Sequence, residues 1–255
     1  MEAAAPPPPP PPASQPEPGP AGGRPIEVGR VLGDAFSTYT ANFAPLVGVS
    51  LLISIVFGIV IGFLNDEGGF FLQLIGTILQ LVASALFTGF VVKLVQDVRD
   101  GRRDSSVGEL ISAAMPSIGN LIVFSVLSGI AIGIGFFLLI VPGLFLLTIW
   151  FVGAPAIVAE GRGALEAFGR SHELVKGNGW QVFGVIVSVF LILIVTGIIA
   201  ALIGGAIGGV VGAVIVSIVV LALYLPVQAL VSAVVFFDLG GGAAAPADRQ
   251  TVVEY

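Results

Sequence analysis

From residue 26 to residue 239 the chain alternates long apolar runs with short polar stations. Val28, Val31, Leu32, Ala35, Phe36, Tyr39 and Phe43 recur at helical spacing, with Arg30, Asp34 and Thr38 between them. That pattern predicts an amphipathic helix suited to a membrane interface. An apolar run follows over about 44–64 and stops at Asn65-Asp66-Glu67-Gly68-Gly69; a second covers about 70–96 and stops at Asp97, Arg99, Asp100, Arg102, Arg103 and Asp104. Ser106-Val107-Gly108-Glu109 fits a capping box at a helix start. A short amphipathic helix is expected there, then a span over about 117–140, a turn at Val141-Pro142-Gly143 and a fourth span over about 144–159. A third interfacial helix over about 163–176 precedes spans at about 180–202 and 210–237, with a glycine-rich turn at 204–209 between them and a kink expected at Pro226.

A membrane-crossing helix needs about 20 mostly apolar residues, and in lipid only helices or a closed barrel satisfy every backbone group. The runs are continuous rather than alternating, which argues against a barrel. The fold class read here is all-α, a polytopic membrane protein of six transmembrane helices. Each of three repeats would comprise an interfacial helix and a transmembrane hairpin. Val28-Gly29-Arg30-Val31-Leu32 resembles Val107-Gly108-Glu109-Leu110-Ile111, and Leu32-Gly33 with Asn42 aligns without gaps to Phe168-Gly169 with Asn178. The domain organisation expected is a disordered proline-rich tail over 1–25, the membrane domain over 26–239 and a disordered tail over 240–255.

Composition sharpens this. The chain of 255 residues is 56% hydrophobic and 10% charged, against about a quarter charged in a soluble domain. The ten basic residues are Arg24, Arg30, Lys93, Arg99, Arg102, Arg103, Arg162, Arg170, Lys176 and Arg249. With six spans all ten fall on the side of the termini. Cytoplasmic loops carry the Lys and Arg excess, so both termini are expected in the cytoplasm and the chain in a bacterial inner membrane. No basic n-region precedes a short apolar h-region, so insertion is expected to begin with the first span.

The chemistry available is sparse. There is no cysteine and one histidine, His172. His172-Glu173 invites comparison with a zinc motif, but Lys176 stands where the second histidine would be and no other ligand set exists. Neither metal nor cofactor is expected, and no catalytic constellation is present. One polar segment stands out: between Glu109 and Asp238 every charged residue lies within 160–176. Glu160, Arg162, Glu166, Arg170, Glu173, Lys176 and Asn178 form a candidate cytoplasmic recognition face. Leu165, Phe168, His172 and Val175 are expected on the opposite face, and Glu166 is expected to pair with Arg170 four residues on. A second feature is a polar stripe on span two, Gln73, Thr77, Gln80, Ser84 and Thr88, read either as interhelical hydrogen bonding or as the lining of a hydrated path.

Val141-Pro142-Gly143-Leu144-Phe145, Ala154-Pro155-Ala156-Ile157-Val158-Ala159-Glu160-Gly161, Arg170-Ser171, Glu173-Leu174-Val175-Lys176-Gly177-Asn178 and Trp180 resemble the bacterial family named for the membrane domain of glycerophosphoryl diester phosphodiesterases. The ending Phe236-Phe237-Asp238-Leu239 is similar too, although Gly240 follows where the family pattern has arginine, so no ion pair is expected from that position. The resemblance implies a six-helix membrane domain; the phosphodiesterase activity belongs to a separate soluble barrel. The expected function is therefore a non-enzymatic membrane scaffold or accessory module. The alternative is a transporter or channel for a lipid or small solute. Expected partners are membrane lipids, another membrane or cytoplasmic protein, or a second copy of the chain, and not nucleic acid.

Overall fold

The computed structural model describes residues 26–66, 70–101, 105–207 and 209–242, and both expected tails lie outside them apart from residues 240–242. Among the described residues there are ten α-helices and no strand: α1 Val28–Ala41, α2 Phe43–Asp66, α3 Phe70–Arg99, α4 Val107–Ala114, α5 Ile118–Leu138, α6 Ile140–Ile149, α7 Gly153–Glu160, α8 Ala164–Val175, α9 Gly179–Ile207 and α10 Gly209–Asp238. Among the described residues, four stretches are long and apolar enough to cross a membrane: Ile75–Arg99, Val107–Leu138, Ile140–Glu160 and Gly179–Gly204. A fifth is added if the bent pair Val28–Ala41 and Phe43–Val56 is one span.

That bend is 84°, and local chemistry makes it. Asn42 leaves helical geometry, and both its backbone N–H and its side-chain amide donate to the carbonyl of Thr38, at 3.1 and 3.0 Å. Pro45 then falls in the first turn of α2, where its missing N–H costs nothing. The α4 entry is the expected capping box: Glu109 N–H donates to Ser106 Oγ, and Ser106 N–H donates to Glu109 Oε2 at 2.7 Å.

Two expected boundaries move. The middle hairpin turns at Leu139, which is extended, and Pro142 and Gly143 sit inside the first turn of α6. Pro142 is tolerated there because first-turn N–H groups have no helical acceptor. Gly143 allows the two legs to close, since a Cβ at Gly143 would lie 2.5 Å from the Phe136 ring. The expected fourth span is two helices, α6 and α7, separated by Trp150–Val152. Pro155 provides no N–H for the carbonyl of Phe151 and its ring crowds that carbonyl. Pro226, by contrast, does not end α10.

The buried side chains gather toward one end of the bundle. Among the described residues they include Leu46, Val49 and Ser50 of α2, Phe87 and Phe90 to Val92 of α3, Leu121 and Phe124 of α5, Val182, Val185 and Val189 of α9 and Leu230, Val231 and Ala233 to Phe236 of α10, with the inner faces of α1, α4, α7 and α8. Farther from that end the apolar side chains are largely exposed, among them Ile75 and Ile78 of α3, Phe137 to Val141 at the α5–α6 turn, and Phe190 to Ile203 along α9. Lipid tails are as apolar as leucine, so no hydrophobic force draws those halves together.

Candidate functional site

The packed end of the bundle also collects the ionic groups. Glu160 closes α7 just beyond the apolar run that ends at Ala159, and Gly161 turns the chain with a φ of 67°. Arg170 of α8 grips the Glu160 carboxylate as a fork, Nη2 to Oε1 and Nε to Oε2, both at 2.9 Å. Arg162 Nε donates to Oε2 at 3.0 Å and the backbone N–H of Gly242 to Oε1 at 3.1 Å. The Glu160 side chain is 10% exposed. Burial alone would raise its carboxyl above the usual range; the donors from Arg170, Gly242 and Arg162 outweigh that and hold it below. The same fork raises the Arg170 guanidinium against its own partial burial, so it stays charged.

This changes the expected recognition face. Glu166 does not pair with Arg170; it reaches back to the N–H of Gly163 at 3.4 Å, while Arg170 takes Glu160 and, more distantly, Glu173 at 3.9 Å. The capping position and the buried carboxylate each outbid an exposed pair worth only a few tenths of a kcal/mol. The inward face of α8 is Ala164, Ala167, Ser171 and Val175, with Phe168 partly buried. Leu165, at 73% exposed, and His172 lie on the outer flank, contrary to expectation. Small residues face inward because α8 packs close against α5, α6 and α7. Glu166, Glu173 and Lys176 remain exposed, and Asn178 is half-buried, its N–H closing the end of α8 on the Val175 carbonyl.

A second ionic centre was not singled out in the sequence. Asp238, 1% exposed, receives Arg30 Nη1 on Oδ2 and Arg99 Nη2 on Oδ1, both at 2.9 Å. Arg99 also lies over the Phe237 ring, 5.2 Å from its centroid. The acid lacking a neighbour at Gly240 therefore finds two partners, and α1, α3 and α10 are tied at one point. A signal was present: Asp238 is an acid at the end of a long uncharged run, on the side where all basic residues were placed.

Of the polar stripe, Gln73, Thr77, Gln80 and Ser84 are exposed and Thr88 is half-buried. Thr77 Oγ1 donates to the Gln73 carbonyl at 2.9 Å. The stripe does not face the packed core. A cavity of about 270 Å³ lies instead near the opposite end of α3, lined by Lys93, Gln96, Asp97, Asp100, Ser105, Glu109, Leu110 and Ala113. Among the described residues no cluster of three or more His, Cys, Asp or Glu is placed to hold a metal ion.

These helices are those of a multi-pass integral membrane protein. The comparisons agree at that level: over 103 residues the chain is 34% identical to a UPF0259 membrane protein of Pectobacterium carotovorum subsp. carotovorum (strain PC1). The match spans 40% of this chain and 41% of the relative, so less than half of either protein is compared. No family model matches the chain. No solved structure matches it. None of these comparisons extends to the phosphodiesterase membrane-domain family that residues 141–180 resemble.

Proposed function

We propose that the protein is a non-catalytic scaffold or accessory module of the bacterial inner membrane. It crosses six times as three units of interfacial helix and hairpin, α1 with α2–α3, α4 with α5–α7, and α8 with α9–α10, and both termini face the cytoplasm. One observation carries the reading: the two buried carboxylates at the packed end, Asp238 and Glu160, are engaged in holding helices together. Asp238 joins three helices and Glu160 joins two with the segment at Gly242. What is left for recognition is the exposed rim of α8, Glu166, Glu173 and Lys176. The transporter reading rests on the polar stripe, which lies on the outside of the packed core.

The chain has no cysteine, so single cysteines report sidedness and contact directly. In intact cells a membrane-impermeant maleimide should label Asp66→Cys and spare Glu173→Cys; the reverse pattern would overturn the orientation. A photo-crosslinker at Glu173 should capture one defined protein, and the adduct should be lost when Glu166 and Lys176 become Ala. Capture of lipid alone, unchanged by those substitutions, removes the scaffold role.

A further inference from the structure

The outer half of α3 is amphipathic in a solvent that has no use for polar groups. Ile75 and Ile78, 47% and 49% exposed, present one side that suits lipid tails. Gln73, Thr77, Gln80 and Ser84 form the other, at spacings of four, three and four, and are exposed as well. On a helix of 3.6 residues per turn these four occupy roughly one sixth of the circumference. Thr77 is satisfied by the carbonyl of Gln73. No side-chain hydrogen bond is formed by Gln80 or Ser84 among the described residues. Gln80 lies about 15 Å along the helix from Phe70, deeper than lipid headgroups reach. A carboxamide left bare in hydrocarbon costs several kcal/mol without a partner, by roughly the cyclohexane scale.

We propose that this seam is the interface of a homodimer, in which α3 packs against α3 of a second copy. The chemistry selects that occupant. A carboxamide carries both a donor and an acceptor, so it complements another carboxamide. Two copies inserted with the same orientation, related by a two-fold axis along the membrane normal, bring Gln80 to the same depth as its counterpart. The alternation of four and three is the period of a left-handed pair of membrane helices. The apolar side bearing Ile75 and Ile78 then remains in lipid. The inference rests on α3 crossing the membrane and not on the scaffold role, so either can fail alone.

Oxidative crosslinking in native membranes tests it. Cysteines placed singly at Gln73, Thr77, Gln80 and Ser84 should yield disulfide dimers, while those at Ile75 and Ile78 should not. Gln80→Leu, added to the Ser84→Cys chain before oxidation, should lower its crosslinking rate by roughly tenfold, the loss of about two interhelical hydrogen bonds. Seam positions that crosslink no better than Ile75 and Ile78 would overturn the proposal. So would seam cysteines that stay monomeric but react with a water-soluble thiol reagent, which would instead mark a hydrated groove.

Discussion

Ser50 Oγ lies 2.8 Å from the carbonyl oxygen of Ala222, 172 residues away, and both are buried. Ala222 is the residue four before Pro226, whose missing N–H leaves that carbonyl without its helical donor. The hydroxyl of α2 supplies it, its proton shared with the Val47 carbonyl at 3.0 Å. This explains why α10 continues through its proline. Ser50→Ala should destabilise the protein by roughly 0.6–1.7 kcal/mol, the range for membrane hydrogen bonds. In a Pro226→Ala background, where residue 226 regains its N–H, the same substitution should cost clearly less. Thermal unfolding in detergent of the four variants measures the difference, and an equal cost in both backgrounds would refute the pairing.

The break between α6 and α7 follows the same logic. Ser232 Oγ donates to the Phe151 carbonyl at 2.9 Å, the one Pro155 leaves bare, and Ser171 Oγ donates to the Ile149 carbonyl at 2.8 Å. Ser171→Ala and Ser232→Ala should each cost about 1 kcal/mol. Ser171→Ala should also loosen α8, read as faster proteolysis near Arg162 and Arg170, whereas Ser232→Ala should not.

Removing the carboxylate at Asp238 leaves Arg30 and Arg99 converging without their shared acceptor. Breaking a buried pair typically costs about 3–5 kcal/mol; here both arginines are near one-third exposed and can turn to water. Asp238→Ala is expected to cost about 2–3 kcal/mol in the same unfolding assay. Arg99→Ala should cost less than Asp238→Ala, because Asp238 keeps Arg30. An Arg99→Ala effect as large as that of Asp238→Ala would count against a shared acceptor.

Glu160 predicts an acid limb. Its folded carboxyl titrates below its unfolded value, so its stabilisation is complete above the ordinary glutamate range near about 4.3. It is lost as pH falls through the lower folded value. Below that range the melting temperature of the wild type should fall more steeply than that of Glu160→Gln. Parallel curves would remove Glu160 from the acid response.

Much of the helical layout was legible because the signals are local. Ser106 with Glu109 marks a helix start through its own backbone chemistry, and apolar length marks the long helices. The break at Trp150–Val152 could have been read from Pro155, but uninterrupted hydrophobicity hides it. The site was less legible. Glu166 and Arg170 four residues apart look like a pair, yet Glu160 offers a partly buried carboxylate that only packing of α7 against α8 brings near.

The sequence by itself determined where the chain is apolar enough for lipid, where a capped helix such as α4 begins, and that nearly all its ionic chemistry lies in short stations between the apolar runs. Those properties follow from neighbours within a turn or two. Only the tertiary structure decided that Arg30 and Arg99 meet Asp238 across 208 and 139 residues. It alone placed the core toward one end of the bundle and lent the serines of distant helices to carbonyls that prolines had stripped. Hydropathy sorts residues between water and lipid, but it carries no term for which helix lies beside which. That is decided by the close packing of small faces and by buried polar groups that must find a partner.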